Sequence, residues 1–229
     1  MTLRFIGAVL ALFSSSFTAF ADNLPLGAIR LPEGFSIEVL ARVANARQMA
    51  LGDGNIVYVG SANEGKVHAI QLDGQTRATR TTVFASGLTM PVGVAFRDGN
   101  LYVSAVDRIL RFDGVGRRLD DPPAPVTIRD DFPKERHHGW KFIAFGPDGR
   151  LYVPVGAPCN ICKPDPERFA VITSMRPDGT DLQVFARGVR NSVGFDWQPG
   201  TGELWFTDNG RDLLGDDLPP DELNHAPRA

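Results

Sequence analysis

The sequence predicts an all-β protein built from consecutive propeller blades, and three observations carry that prediction. First, four segments share one pattern: an apolar strand, a tight turn containing Gly, and a second strand with an aromatic near its start. They are Leu51–Val59, Phe96–Val103, Phe145–Val153 and Trp197–Phe206. Asp-Gly or Pro-Gly between two apolar runs makes a hairpin. Second, the aromatics Tyr58, Tyr102, Tyr152 and Trp205 follow one another at 44, 50 and 53 residues. A period near 50 built from strands and turns is that of propeller blades, and the 3.6-residue apolar period of helical repeats is absent. Third, Val83–Phe96 reappears 101 residues later as Val184–Trp197, two blade lengths on.

Composition agrees. The chain is 43% hydrophobic and 22% charged with a net charge of −3, which excludes the basic footprint of a nucleic-acid binder. Its 24 Gly and 17 Pro suit a protein made of turns.

Taken in order, residues 1–21 read as a secretory leader. Arg4 precedes a short apolar run from Phe5 to Phe13, and the segment leaves through Ala19-Phe20-Ala21. The apolar centre is too short for a bilayer span of about 20 residues. A mature chain, residues 22–229, is therefore expected in the periplasm or secreted, with no membrane attachment. Residues 31–43 read as an opening strand, and Gly65–Leu72 as a further strand on which His68 is a face position. Asp107–Phe112 closes the second blade. Residues 113–136, rich in Pro and charge, read as a long loop between blades that leads into His137 and His138.

Counting seven residues back from Leu51, Phe96, Phe145 and Trp197 reaches Ala44, Thr89, His138 and Arg190. These positions precede equivalent strands, so they should ring one mouth of the central channel. His138 can serve there as a base near neutral pH, beside a guanidinium at Arg190 able to hold an anion. Asn191 adds a donor and an acceptor. Cys159 and Cys162 are the only cysteines. Without a following His, a βαβ setting or further ligands nearby, a local disulfide is the plain reading, ahead of a haem, redox or zinc site. The segment Asp208–Asn224 holds six carboxylates in seventeen residues. It reads equally as a calcium-coordinating loop without EF-hand spacing or as a solvated acidic turn.

At these residues the chain resembles the soluble pyrroloquinoline-quinone (PQQ)-dependent glucose/sorbosone dehydrogenases, most closely their L-sorbosone dehydrogenase branch. The resemblance rests on His137–Phe142 with the following Phe-Gly-Pro-Asp-Gly turn, on Ala157–Cys162, on Gly188–Phe195, and on Thr207–Asp212 with Asp221–Asn224. It implies a six-bladed propeller with PQQ and Ca2+ at the channel mouth. His138 would be the general base for a sugar or aldehyde substrate, and Arg190 and Asn191 would contact the quinone. The backbone oxygens of Gly210 and Arg211 would be calcium ligands, and an external electron acceptor would be needed.

Two departures from that pattern point away from glucose. Ala157 stands where an Asp would orient the histidine, and Leu88-Thr89-Met90 stands where a Gln would flank the quinone. A keto-aldose or an aldehyde hydrate is the better substrate class. Six blades of about 50 residues need about 300, and about 208 residues follow the leader. A truncated arc of about four blades is thus expected, with open faces and an unpaired edge. The rival readings are a calcium-dependent lactone hydrolase of propeller type and an inactive propeller binding module.

Overall fold

The computed structural model describes residues 24–227 apart from positions 75 and 117, so the expected leader, residues 1–21, lies outside the described residues. The chain divides into two compact units, Met1–Val39 and Leu40–Ala229. Among its described residues the first unit carries one short 3-10 turn, Leu26–Ala28. Among the described residues every strand lies in the second unit, arranged in four antiparallel sheets that follow one another along the chain.

Sheet one is β1 (Ala46–Gly52), β2 (Ile56–Ser61), β3 (Val67–Asp73) and β4 (Arg77–Ala85). Sheet two is β5 (Val94–Arg97), β6 (Asn100–Ser104), β7 (Ile109–Phe112) and β8 (Val126–Arg129). Sheet three is β9 (Ala144–Phe145), β10 (Leu151–Val155), β11 (Val171–Met175) and β12 (Gln183–Arg187). Sheet four has three strands, β13 (Phe195–Trp197), β14 (Leu204–Asp208) and β15 (Glu222–Ala226). Each sheet pairs neighbours in sequence order, which is the up-and-down meander of a propeller blade. The fold is all-β, with four blades, as the repeat predicts.

Register explains the aromatic period. Tyr58, Tyr102, Tyr152 and Trp205 face Ala50, Ala95, Ala144 and Asp196 on the first strand of their own blade. Small partners leave the first three rings free to reach the next blade. Tyr58 stacks on Phe96 at 6.2 Å, Tyr102 meets Phe145 edge-on at 4.9 Å, and Tyr152 meets Trp197 at 5.0 Å. Each contact is worth about 0.5–1.5 kcal/mol beyond the area it buries. The three main apolar clusters lie between blades, one at each junction.

Two sequence expectations need correction. Residues 31–43 form no strand. Pro32 has no backbone donor for a ladder, and the chain turns at Phe35, whose N–H bonds the Pro32 carbonyl at 3.2 Å. Within the second unit, Ala41 and Val43 pack against Val59, Ile70 and Leu72 without joining a sheet. Residues 113–136 are not all loop, because they contain β8, the outer strand of blade two. Val126 and Thr127 are exposed there, and an outer strand with one wet face lacks the apolar run that would announce it.

Candidate functional site

The stretch before β9 carries the histidine pair, and its backbone is unusual at His138. That residue has φ +49°, a conformation uncommon outside Gly. What holds it is Gly156, just after β10. A Cβ on Gly156 would come within 2.6 Å of the His138 Cβ and 2.9 Å of the His138 carbonyl oxygen. Glycine therefore lets the two segments touch. Beneath, the Lys141 ammonium donates to the carbonyls of Val106 (2.6 Å) and Gly139 (3.0 Å), tying the histidine stretch to blade two.

His138 is 8% exposed, and its Nδ1 lies 2.9 Å from the Ala157 carbonyl oxygen. A carbonyl can only accept, so Nδ1 carries the proton and Nε2 keeps its lone pair. Burial holds the imidazole below its usual pKa, against the raising effect of the Ala157 bond, and the neighbouring His137 and Arg190 push the same way as burial. The ring is thus neutral at neutral pH, the state a base requires. Ala157 lacks the carboxylate expected of an orienting residue, and its backbone oxygen does the orienting.

Ala157 also joins the histidine to the backbone of Arg190. Its N–H donates to the Arg190 carbonyl at 2.8 Å. The structure therefore brings together His138 and Arg190, on either side of one residue. The Arg190 side chain is fixed by the Asn209 carbonyl (2.9 Å from Nη1) and the Asn160 amide oxygen (2.8 Å from Nη2). The backbone N–H groups of Arg190 and Asn191 both donate to the Asp208 carboxylate, at 2.8 and 2.6 Å. Burial raises the Asp208 pKa, and these two bonds oppose the rise.

Further along, Gly210 N–H donates to Asp221 at 2.9 Å. The carbonyls flanking the expected calcium ligands are occupied, Asn209 by Arg190 and Asp212 by Asn160. No hydrogen bond to the Gly210 or Arg211 carbonyl is found among the described residues. Two backbone oxygens are the correct ligand type for Ca2+, which takes six to eight oxygens, so solvent and a bound ligand would have to supply the rest. The six carboxylates of Asp208–Asn224 do not assemble into a site, since no group of three or more His, Cys, Asp or Glu suited to a metal occurs among the described residues. Asp208 and Asp221 serve backbone amides instead.

Cys159 and Cys162 are bonded to each other, with Cα atoms 6.0 Å apart. The residue that sequence reasoning missed lies between them. Asn160 reaches both Arg190 and Asp212, and its only signal in the sequence is its place inside a closed loop. Gln48 was missed as well. From β1 its amide donates to the Ile143 carbonyl (2.6 Å) and accepts from the Ile143 N–H (3.0 Å), so blade one is latched to blade three across the axis. Beside it a cavity of about 550 Å³ is lined by residues of all four blades, among them Gln48, Val92, Trp140, Phe142, Val193 and Asn209. His68 is a face position on β3, as expected.

No family model matches the chain. It is similar to an uncharacterized protein of Borreliella burgdorferi, 31% identical in an alignment of 223 positions that covers 92% of this chain and 56% of the relative. The chain thus spans just over half the length of that curated relative. Among solved structures it is similar to the PQQ-bound form of aldose sugar dehydrogenase from Streptomyces coelicolor, with a TM-score of 0.64 and 21% identity over 83% of this chain and 62% of the other. It is also similar to the PQQ domain of pyranose dehydrogenase from Coprinopsis cinerea, with a TM-score of 0.66 and 15% identity over 79% of this chain and 50% of the other. The four blades described here thus share their propeller fold with sugar dehydrogenases of this kind.

Proposed function

We propose that this chain carries the base and the anion-holding rim of a PQQ-dependent dehydrogenase. Its substrate would be an aldose, a sorbosone-like keto-aldose or an aldehyde hydrate. The observation that carries the reading is the His138–Ala157–Arg190 connection: the imidazole bonds the Ala157 carbonyl, Ala157 bonds the Arg190 backbone, the Arg190 charge is felt at the ring, and the guanidinium is held by Asn209 and Asn160. Bound at this rim, the quinone supplies the two-electron hydride acceptor. His138 Nε2 takes the proton of the substrate hydroxyl, while the Nδ1 bond keeps the ring in the right tautomer. Arg190 and Asn191 would hold carboxylates of the cofactor, the guanidinium through charge-assisted hydrogen bonds. The Gly210 and Arg211 carbonyls are the backbone oxygens available to a calcium ion. The leader-like residues 1–21 and the disulfide support an exported protein, periplasmic or secreted.

The test is direct. Purified full-length chain receives PQQ and Ca2+, and quinone binding is followed by fluorescence and substrate oxidation by dye reduction. The reading expects saturable quinone binding and substrate-dependent dye reduction. His138→Ala is expected to abolish oxidation and leave quinone binding largely intact. Oxidation that survives His138→Ala removes the assigned base, and a chain that binds no quinone removes the cofactor.

A further inference from the structure

We propose that Asn160 is a positioning residue that holds the Arg190 guanidinium and the Asn209–Asp212 turn in the arrangement a cofactor would meet. This deepens the function proposed above and rests on it. The observations converge on one side chain. Asn160 Oδ1 accepts from Arg190 Nη2 at 2.8 Å and from the Asp212 N–H at 2.9 Å. Its Nδ2 donates to the Asp212 carbonyl at 3.2 Å. A side-chain amide can accept from and donate to the same backbone residue while also accepting from a guanidinium, and its separate oxygen and nitrogen let it reach both backbone groups at once. Asn160 therefore grips both polar groups of Asp212 and one arm of Arg190, while the other arm is held by Asn209. Arg190 is clamped between two loops that lie far apart in sequence.

The Cys159–Cys162 bond closes a loop in which Asn160 is one of the two enclosed residues. A short covalent loop restricts the backbone that carries the amide, so its aim costs little further ordering. Beside the loop is a cavity of about 420 Å³ lined by Asn160, Lys163, Arg190 and Arg211 together with both half-cystines. Arg190 lines this cavity with both arms of its guanidinium bonded.

The experiment uses the full chain and a readout that needs no cofactor. Phenylglyoxal labels guanidinium groups, and peptide mass spectrometry gives the rate at Arg190, with Arg150 as an internal reference. Arg150 is bonded to Ser174 and Asp181 on blade three, away from Asn160. Loss of a hydrogen bond to a charged group corresponds to roughly a tenfold effect. Asn160→Ala is therefore expected to raise Arg190 labelling roughly tenfold and to leave Arg150 unchanged. Reduction of the disulfide by a dithiol, which takes up the two-electron oxidation itself and leaves two thiols, is expected to raise it as well. Asn160→Asp keeps an acceptor for Arg190 and should stay near the wild-type rate. Unchanged Arg190 labelling in Asn160→Ala or in the reduced chain overturns the proposal, as does an equal rise at Arg150, which would show general loosening. A second readout is the PQQ dissociation constant, expected to weaken roughly tenfold in Asn160→Ala. Wild-type chain that binds no quinone, with the labelling pattern as expected, would remove the cofactor reading and leave the clamp standing.

Discussion

His138 sits in left-handed backbone with its ring neutral and its Nε2 lone pair free of the Ala157 bond. Such a φ costs of order 1–3 kcal/mol and persists where surrounding structure imposes it. Because burial lowers its pKa from the usual 6.5, the unfolded chain binds more protons between the folded value and 6.5. Stability should therefore rise with pH through that interval and level off above it. If His138 is the base proposed above, kcat/KM for oxidation against pH should fall on the acid side with an inflection below 6.5. Lys141 behaves similarly in a higher range. It is 2% exposed, and burial brings its pKa down to about 8 from 10.5. Between those values the unfolded chain again holds the extra proton, so the buried charge disfavours folding least at high pH. Urea unfolding of the wild type should show stability gained between pH 8 and 10.5, a gain absent in Lys141→Met.

The repeated blade gives a test at the level of single elements. Gly93, just before β5, and Gly194, just before β13, occupy the same place in the echoed segment. Their surroundings differ. A Cβ on Gly93 would lie 2.1 Å from the Lys141 carbonyl oxygen of the next blade and 2.7 Å from Ser104 Oγ. A Cβ on Gly194 would meet nothing within 4 Å. Gly93→Ala should therefore destabilise by about 1–3 kcal/mol, the usual cost of overpacking. Gly194→Ala should stay within about 0.5 kcal/mol of wild type. Thermal or urea unfolding of the pair measures the difference, and equal effects would contradict the interblade packing. In the later copy of the echoed segment, just ahead of Gly194, the Asp208 carboxylate fixes two successive backbone amides, at Arg190 and Asn191.

For the molecule as a whole, the aromatic contacts between blades run out at both ends of the series. Leu51 holds the place of Phe96, Phe145 and Trp197 but receives no ring, and it is 68% exposed. Trp205 holds the place of the three tyrosines and is 36% exposed, stacked on His225 of its own blade. Leu223 on β15 is 68% exposed beside it. Apolar sheet faces left uncovered favour association. Leu51→Lys and Leu223→Lys together should reduce self-association of the purified chain, measured by light scattering against concentration. Scattering that does not change would show that these faces are already covered in solution.

Much of this architecture was readable from residue order. Hairpin turns, the spacing of Tyr58, Tyr102 and Tyr152, and the echo of Val83–Phe96 are local or periodic features. Strand pairing obeys the same local rules in every blade, so they specify four blades and place His138 and Arg190 ahead of equivalent strands. What hides from such reading is whatever depends on backbone atoms or on pairs distant along the chain. The orienting partner of His138 is a carbonyl oxygen, identical in every residue type, so Ala157 looked like a loss. The Asn160 grip on Arg190 and Asp212 spans 30 and 52 positions, and Gln48 reaches 95 positions to Ile143. Outer strand β8 was obscured because a half-exposed strand need not be apolar. Sequence alone determined the repeat and the candidate base and cation. Only the closing of blades around a common axis decided which groups hold them, because those bonds form between segments that no local pattern connects.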